Sequence, residues 1–439
     1  MRWMINCESD HCQSTSSTTG AFAPYNCNTT VINFYTHDNL NNDILPYMSP
    51  DNTLDIYNVT AYGSPSFLKP LEKSGNIVAH GQIKIDGYEI RNCTGIVFNG
   101  SALGGLYSPI QILNGSIFNC GNNAIDGGGS IGWKVNNFLI DGVNLGDVGG
   151  EGYGITNIRQ GEVGNGIIRH CWRSGVAAYN DQHGNYHDIL IEDSGLTKYF
   201  SGEAPSNYGF ILWSSDVASP CRDNILTRIT VRDTQTTSAK TLSEAATAGN
   251  TYVKYTGSLD FRPGQCVKVH EGATNNYALV TSVSLTGGVT TVNLDRVLSN
   301  NFTTSGDITG MATTNGGIEE LISGSGVVTA NIIKYCDLST GLVTPWTRAV
   351  GSTSKVTGNI GLITEANGVA TNVTLDGSGV GVIPHGCAVT PAYAQVQCQS
   401  DNLNVRITSI DATNINILVK DLAGNVVTDD THDFYWKVE

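Results

Sequence analysis

The chain has 439 residues, of which 14% are charged, and carries a formal net charge of −15 at pH 7. Ordinary globular chains are roughly 25% charged and about 7% glycine; here glycine reaches 51 residues, while lysine and arginine together number only 24. With no Lys/Arg cluster, the chain is a poor partner for nucleic acid or an anionic membrane surface, because phosphate binding needs basic charge. No apolar run approaches the ~18 residues of a spanning helix, so no membrane insertion is expected. The opening MRWMINCESDHC lacks the apolar stretch of a secretory signal. The expected location is extracellular, reached after signal removal or by assembly into a particle.

Residues 1–75 read as an irregular N-terminal head or attachment region, rich in Cys, Pro and Asn. The chain has 11 cysteines, an odd number, so at least one thiol is unpaired. Cys7, Cys12 and Cys27 cluster near the start, and Cys387 and Cys398 lie close together near the end. These five are disulfide candidates, which would imply an oxidising location; buried free thiols are the alternative. The Cys/His spacing at the start fits no standard zinc pattern. No EF-hand or other calcium repeat occurs. No metal and no cofactor are expected.

Residues 76–238 carry an internal repeat. The segments IRNCTGIVF from Ile90, IFNCGNNAID from Ile117, IDGVNLGD from Ile140, IRHCWRSGVAA from Ile168 and IEDSGL from Ile191 align, and VRDT from Val231 follows. Each starts on a β-branched residue, continues through polar residues to a small residue or Cys, and turns. The first five starts lie 27, 23, 28 and 23 residues apart, within the periods that mark solenoids. One such unit cannot bury its own apolar face, whereas stacked units bury a continuous column. The expected fold is all-β: a right-handed parallel β-helix. Cys93, Cys120, Cys171 and Cys336 fall at one point of the repeat and read as an inward ladder. A second inward column is read at Ile96, Ile125, Ile155, Val176, Phe210, Ile318, Leu342 and Val369.

The rhythm breaks at 239–310. Alternating strands with Asn275-Asn276 and Gly287-Gly288 turns predict a small inserted antiparallel β domain there. Only the short 240–247 stretch suggests a helix. Coils resume over 311–376, and 377–439 reads as a compact C-terminal β-sandwich.

Specific motifs close the chain. ITEANGVA from Ile363 is followed by IPHGCAVTP from Ile383 and a final DFYWKVE. This tail resembles the closing coil and C-terminal sandwich of tailspike and tail-fibre proteins of phages and archaeal viruses, and the insert (FRPGQCVKVHEG from Phe261) resembles small β domains in them. The resemblance implies a virion-surface spike. It implies a homotrimer with the sandwich as its knot, a host surface polysaccharide or glycoprotein as partner, and contacts to other tail or baseplate proteins through the N-terminal region.

Outer strand positions are assigned to Asp126, Thr156, Tyr179, Trp213, Glu319 and Trp346. Tyr179, Trp213, Asp126, Glu319 and Trp346 form the candidate glycan-binding set, since flat aromatic faces suit stacking on sugar rings. Glycoside hydrolysis needs two carboxylates, about 5–5.5 Å apart for retention or about 6.5–9.5 Å for inversion. Asp181 and Glu203, on loops flanking the Trp213 strand, rank first, with Asp216 and Glu151 behind. A uronate lyase would instead need a base, for which His183 is the candidate, with Arg169, Arg173 or Arg222 to neutralise charge. Three functions fit: a virion spike that recognises a host glycan and can also degrade it, a non-catalytic adhesin or structural fibre, and a secreted polysaccharide lyase or hydrolase. If the chain is an enzyme, it is a polysaccharide depolymerase.

Overall fold

The computed structural model describes residues 2–10, 20–25, 27–71, 81–103, 105–144, 151–195, 208–234, 238–310, 316–340, 342, 344–359, 366–385, 387, 391, 393–399, 403–411, 413–428 and 430–438. They divide into two compact units, 1–332 with 340–355, and 333–339 with 356–439.

The first unit is a parallel β-helix. Long strands such as Arg2–Asp10, Thr29–His37, Gln82–Arg91, Lys134–Val143 and Ile225–Arg232 pair in parallel, each with the next coil, to form a long sheet. Short strands from Gly20–Phe22 through Ile125–Asp126, Val176–Tyr179, Tyr208–Ser214 and Gly316–Ile322 form a parallel ten-stranded second sheet. Ile90, Ile117, Ile140, Ile168, Ile191 and Val231 stand in one register column, each at most 1% exposed. The aligned repeat starts are therefore a physical stack. Burying one such side chain contributes roughly 1.5–3 kcal/mol.

Period-two alternation is interrupted once in each long strand. Asn6, Asn33, Asn58, Gly87, Asn114, Asn137, Asn165, Asp188 and Arg228 all have left-handed φ and occupy one position across the stack. Asparagine tolerates this region better than most residues. The amides also bond up the column: Asn33 to Asn6, Asn58 to Asn33 and Asn137 to Asn114, at 2.8, 3.2 and 2.8 Å. Beside this bend, Gly115 and Gly166 are required by close approach. A Cβ at either would meet the Tyr88 or Phe138 ring at 2.4 or 2.1 Å.

Several expectations need correction. Residues 1–75 are not an irregular head: their strands Arg2–Asp10, Thr29–His37 and Thr53–Tyr62 are the first three long strands of the stack. In the second inward column, Ile125, Ile155, Val176, Phe210 and Ile318 hold their places, but Phe98 and Trp346 flank them, not Ile96 and Leu342. The 240–247 stretch opens with a strand, Ala239–Thr241, because pairing with Asp307–Gly310 outweighs its weak helix preference.

Ala239–Thr241 to Asp307–Gly310 form a six-stranded antiparallel sheet around Tyr255, Val267, Val269, Val292 and Phe302. It leaves the stack after Ile225–Arg232 and packs back through Cys266, Tyr277 and Leu279 onto Trp172. In the second unit, Ala366–Thr374, Thr431–Val438 and Ala394–Cys398 form one antiparallel sheet, and Val380–Pro384, Asn414–Asp421 and Leu403–Ile410 another. Ile383, Ile415, Ile417, Val419 and Phe434 fill the space between them. The last stretch expected as coil, near 369, thus belongs to this sandwich.

Candidate functional site

The outer face of the short sheet brings together most of the residues chosen for glycan binding. Asp126, Thr156, Ala177, Ile211 and Glu319 share one register row. Two residues further along each strand, Tyr179 and Trp213 are direct register partners. Alternation against the inner column of Ile125, Ile155, Val176, Phe210 and Ile318 puts both rows on the outer side; there Ala177 and Ile211 are covered, while Tyr179 and Trp213 are half-buried.

Tyr179 and Trp213 pack as a tilted pair, with ring centroids 4.6 Å apart and planes at 56°. Both rings are held at their polar edges. Trp213 Nε1 donates to Ser323 Oγ at 2.9 Å, and the Tyr179 hydroxyl bonds Ser215 Oγ. A half-buried pair fixed in this way gives an apolar platform with little ordering left to do on binding.

Glu319 lies one coil on, with Ile211 and Thr347 as its register neighbours. By strand spacing it is about 8 Å from Trp213 between Cα atoms. Its Oε2 is buried and has no hydrogen-bond partner among the described residues. Burial without a cation pushes its carboxyl up to about 7. A carboxyl that is half protonated near neutrality can donate or accept a proton.

The other candidates occupy different settings. Asp126 is 7% exposed and is used in holding a turn: it accepts from Gly128 N at 2.8 Å, Asn157 Nδ2 at 3.0 Å and Asn123 Nδ2 at 3.4 Å. Glu151 is exposed and accepts the same Asn123 Nδ2 at 3.0 Å. The shared nitrogen brings these two carboxylates near each other, but Asp126 is almost fully covered, and its Oδ1 is taken up by Gly128 and Asn157.

Asp181, first choice for a catalytic carboxylate, is fully buried. It accepts from Gln160 N and the Tyr186 hydroxyl, both at 2.8 Å, and burial raises its carboxyl to about 6. It pins one coil to the next and faces no groove. His183 is exposed in a left-handed turn. Asp216 is exposed and caps its own turn through Ala218 N at 3.0 Å. Glu203 and Cys12 lie outside the described residues. Trp346 is 6% exposed and in register with the inner Ile318, so it is core and not platform. Cys7, Cys27, Cys387 and Cys398 are free thiols, the last two buried in the sandwich core, which overturns their pairing.

Three comparisons with known proteins bear on the fold. No protein-family model matches the chain, and no curated protein does. Among solved structures, the chain is similar to the Dettilon tailspike protein gp208, with 9% identity over 99% of this chain and 85% of that one, TM-score 0.41. It is also similar to the A-module of the Azotobacter vinelandii mannuronan C-5 epimerase AlgE6, with 10% identity over 82% and 89%, TM-score 0.38. The Gp54 tailspike of Acinetobacter baumannii bacteriophage AP22, solved with a capsular saccharide, matches at 9% identity over 94% and 68%, TM-score 0.27. The parallel β-helix itself is read from the strand pairing.

One charged network was not singled out from the sequence. On the outer face of the long sheet, Lys134 pairs with Glu162 at 3.0 Å, Glu162 faces His187 at 3.6 Å, His187 bonds Asp188 at 2.9 Å, and Arg228 chelates Asp188 at 2.5 and 2.7 Å. The His187 ring lies over Gly164, where a Cβ would stand 2.3 Å from it. Arg228 and His187 hold the Asp188 carboxyl well below its usual range. Each charge is matched on its own or a neighbouring coil, so the network reads as inter-coil fastening. Its members lie up to 94 residues apart in sequence, from Lys134 to Arg228, and come together only once the coils are in register.

Proposed function

We propose that the chain is a glycan-recognising spike, carried on a virion surface as a homotrimer, which grips a host surface polysaccharide along the outer face of the short sheet. The observation that carries this reading is the fixed Tyr179–Trp213 pair beside the unpartnered Glu319. Flat apolar faces stack on sugar rings, and Glu319 stands one coil on, on the same outer side of the sheet. The C-terminal sequence motifs favour the viral setting over a secreted enzyme.

Cleavage is a second reading, favoured by one group. Glu319, half protonated near neutral pH, has the character of a general acid for glycosidic oxygen. The decisive experiment incubates the protein with capsular and surface polysaccharides from candidate hosts, following binding by calorimetry and chain length by size-exclusion chromatography. W213A is expected to weaken binding at least ten-fold with its circular dichroism unchanged. Binding unaffected by both W213A and Y179A would overturn the assignment of this face. Chain shortening that E319Q abolishes while binding persists would establish hydrolysis. Binding without shortening leaves a non-catalytic receptor-binding fibre.

A further inference from the structure

A cleft lies elsewhere in the first unit, where the inserted domain folds back over the turns that follow the long strands. Its volume is about 590 Å³, within the about 300–1,000 Å³ of small-ligand sites. The wall from the coils is built by successive turns. Asn92 N donates to Phe118 O at 2.9 Å and Gly121 N to Cys93 O at 2.8 Å, so the two turns continue the parallel pairing and place Asn92 beside Asn119. Both asparagines have left-handed φ, 54° and 53°. Their side-chain amides have no hydrogen-bond partner among the described residues, unlike the bonded amides at the bend of the long sheet. Asn144 extends the same wall.

The opposite wall comes from the insert. Asp295 Oδ1 accepts Leu279 N at 2.8 Å, and the carboxylate takes Arg296 Nε at 3.1 and 3.2 Å and Nη2 at 2.6 Å. This fixes one edge of the guanidinium. Its remaining N–H groups have no acceptor among the described residues, and Arg296 lines the cleft. The position of this wall is set by apolar packing of Cys266, Tyr277 and Leu279 on Trp172, whose ring stands 5.5 Å from that of Tyr277.

We infer that this cleft is a second saccharide-binding site, specific for an uncharged oligosaccharide segment. Asparagine amides present donor and acceptor side by side, which matches adjacent sugar hydroxyls, and the free guanidinium edge donates to hydroxyl oxygens. Asp295 and Arg296 neutralise each other, and the chain carries −15 overall, so an acidic sugar gains nothing here and is repelled by the surrounding field. The inference is independent of the short-sheet face, and it survives if that face binds nothing.

The test uses full-length W213A/Y179A protein, in which both rings of the aromatic platform are removed. Neutral hexasaccharides of the glucan, mannan, galactan and xylan series are titrated calorimetrically, with oligoguluronate and oligogalacturonate as acidic comparators. The variant N92G/N119G deletes the amides while keeping a residue at ease with left-handed φ, and R296A removes the opposite donor. The expected result is saturable binding of at least one neutral series, weakened ten-fold or more in both variants, with the acidic series silent. No neutral binding, binding indifferent to N92G/N119G, or preference for an acidic series would each overturn the inference.

Discussion

Glu319 and Asp181 are carboxyls whose proton affinities are raised by burial, to about 7 and about 6, yet they serve different ends. Asp181 is enclosed and bonded by Gln160 and Tyr186, so its proton affinity is a by-product of coil packing. Glu319 is half-buried on the outer side of the short sheet with its enclosed Oε2 unpartnered, so its proton affinity reflects burial that no hydrogen bond offsets, beside the aromatic platform. Both groups hold protons more tightly in the folded chain than in the unfolded one. Stability is therefore unaffected below the unfolded value and falls as pH rises toward the folded value. For Glu319 the window runs from the ordinary carboxyl value of 4.5 to about 7. The full shift would amount to roughly 3 kcal/mol; with the side chain partly in solvent, about 1–2 kcal/mol remains. Glu319→Gln should leave the melting temperature nearly unchanged at pH 4.5 and raise it by a few degrees at pH 8. An equal effect at both pH values would rule out a buried, unpartnered carboxylate as its cause.

At the scale of the strand, the left-handed column is what bends the long sheet, and it joins backbone strain to side-chain bonding. Asn137 has φ 55° and donates to Asn114 Oδ1 at 2.8 Å. Asn137→Ala loses that bond and forces alanine into left-handed backbone, at a cost of about 1–3 kcal/mol. Asn137→Gly loses the same bond but relieves the backbone, so it should cost less than half as much. Urea unfolding of the two variants measures the difference, and equal costs would show that the backbone conformation contributes nothing. The same column explains what the sequence could and could not reveal. Ile90, Ile117, Ile140, Ile168 and Ile191 were legible because each begins a repeat with the same short polar pattern behind it. Within a short strand, simple alternation sufficed to put Tyr179, Trp213 and Glu319 outside. Across the stack it failed: Trp346 was misassigned because its register depends on pairing with Gly316–Ile322, on the neighbouring coil. The early strands were missed because Ser9, Thr36 and Ala61 stand there in the column that Ile or Val fills in the later coils. Asp181 was taken for a groove residue because its burial depends on Tyr186 and Asn224, the latter 43 residues away, whose amide bonds its carbonyl oxygen. The free amides of Asn92 and Asn119 were hidden for a related reason, since the wall facing them comes from 295–296.

At the scale of the whole chain, the coil stack and the sandwich are built on cores that share no residue among those described. The coil stack is quasi-one-dimensional, so each coil is stabilised by its neighbours and the loss of one packing residue is felt along the column. The sandwich closes its own core around Ile383, Ile415, Ile417, Val419 and Phe434. Ile168 is fully buried in the stack and Ile417 fully buried in the sandwich. Truncation of either to alanine should cost about 2–5 kcal/mol. If the cores are separate cooperative units, scanning calorimetry of the full chain shows two transitions. Ile417→Ala then lowers one by roughly 10 °C or more, as expected for a unit of under 100 residues, and leaves the other in place, while Ile168→Ala does the reverse. The independence matters for function, because it would let the proposed saccharide-binding faces of the stack be varied without disturbing the sandwich. A single transition that moves with either substitution would mean that the two cores melt together, and that a substitution in the sandwich must be expected to reach the Tyr179–Trp213 platform.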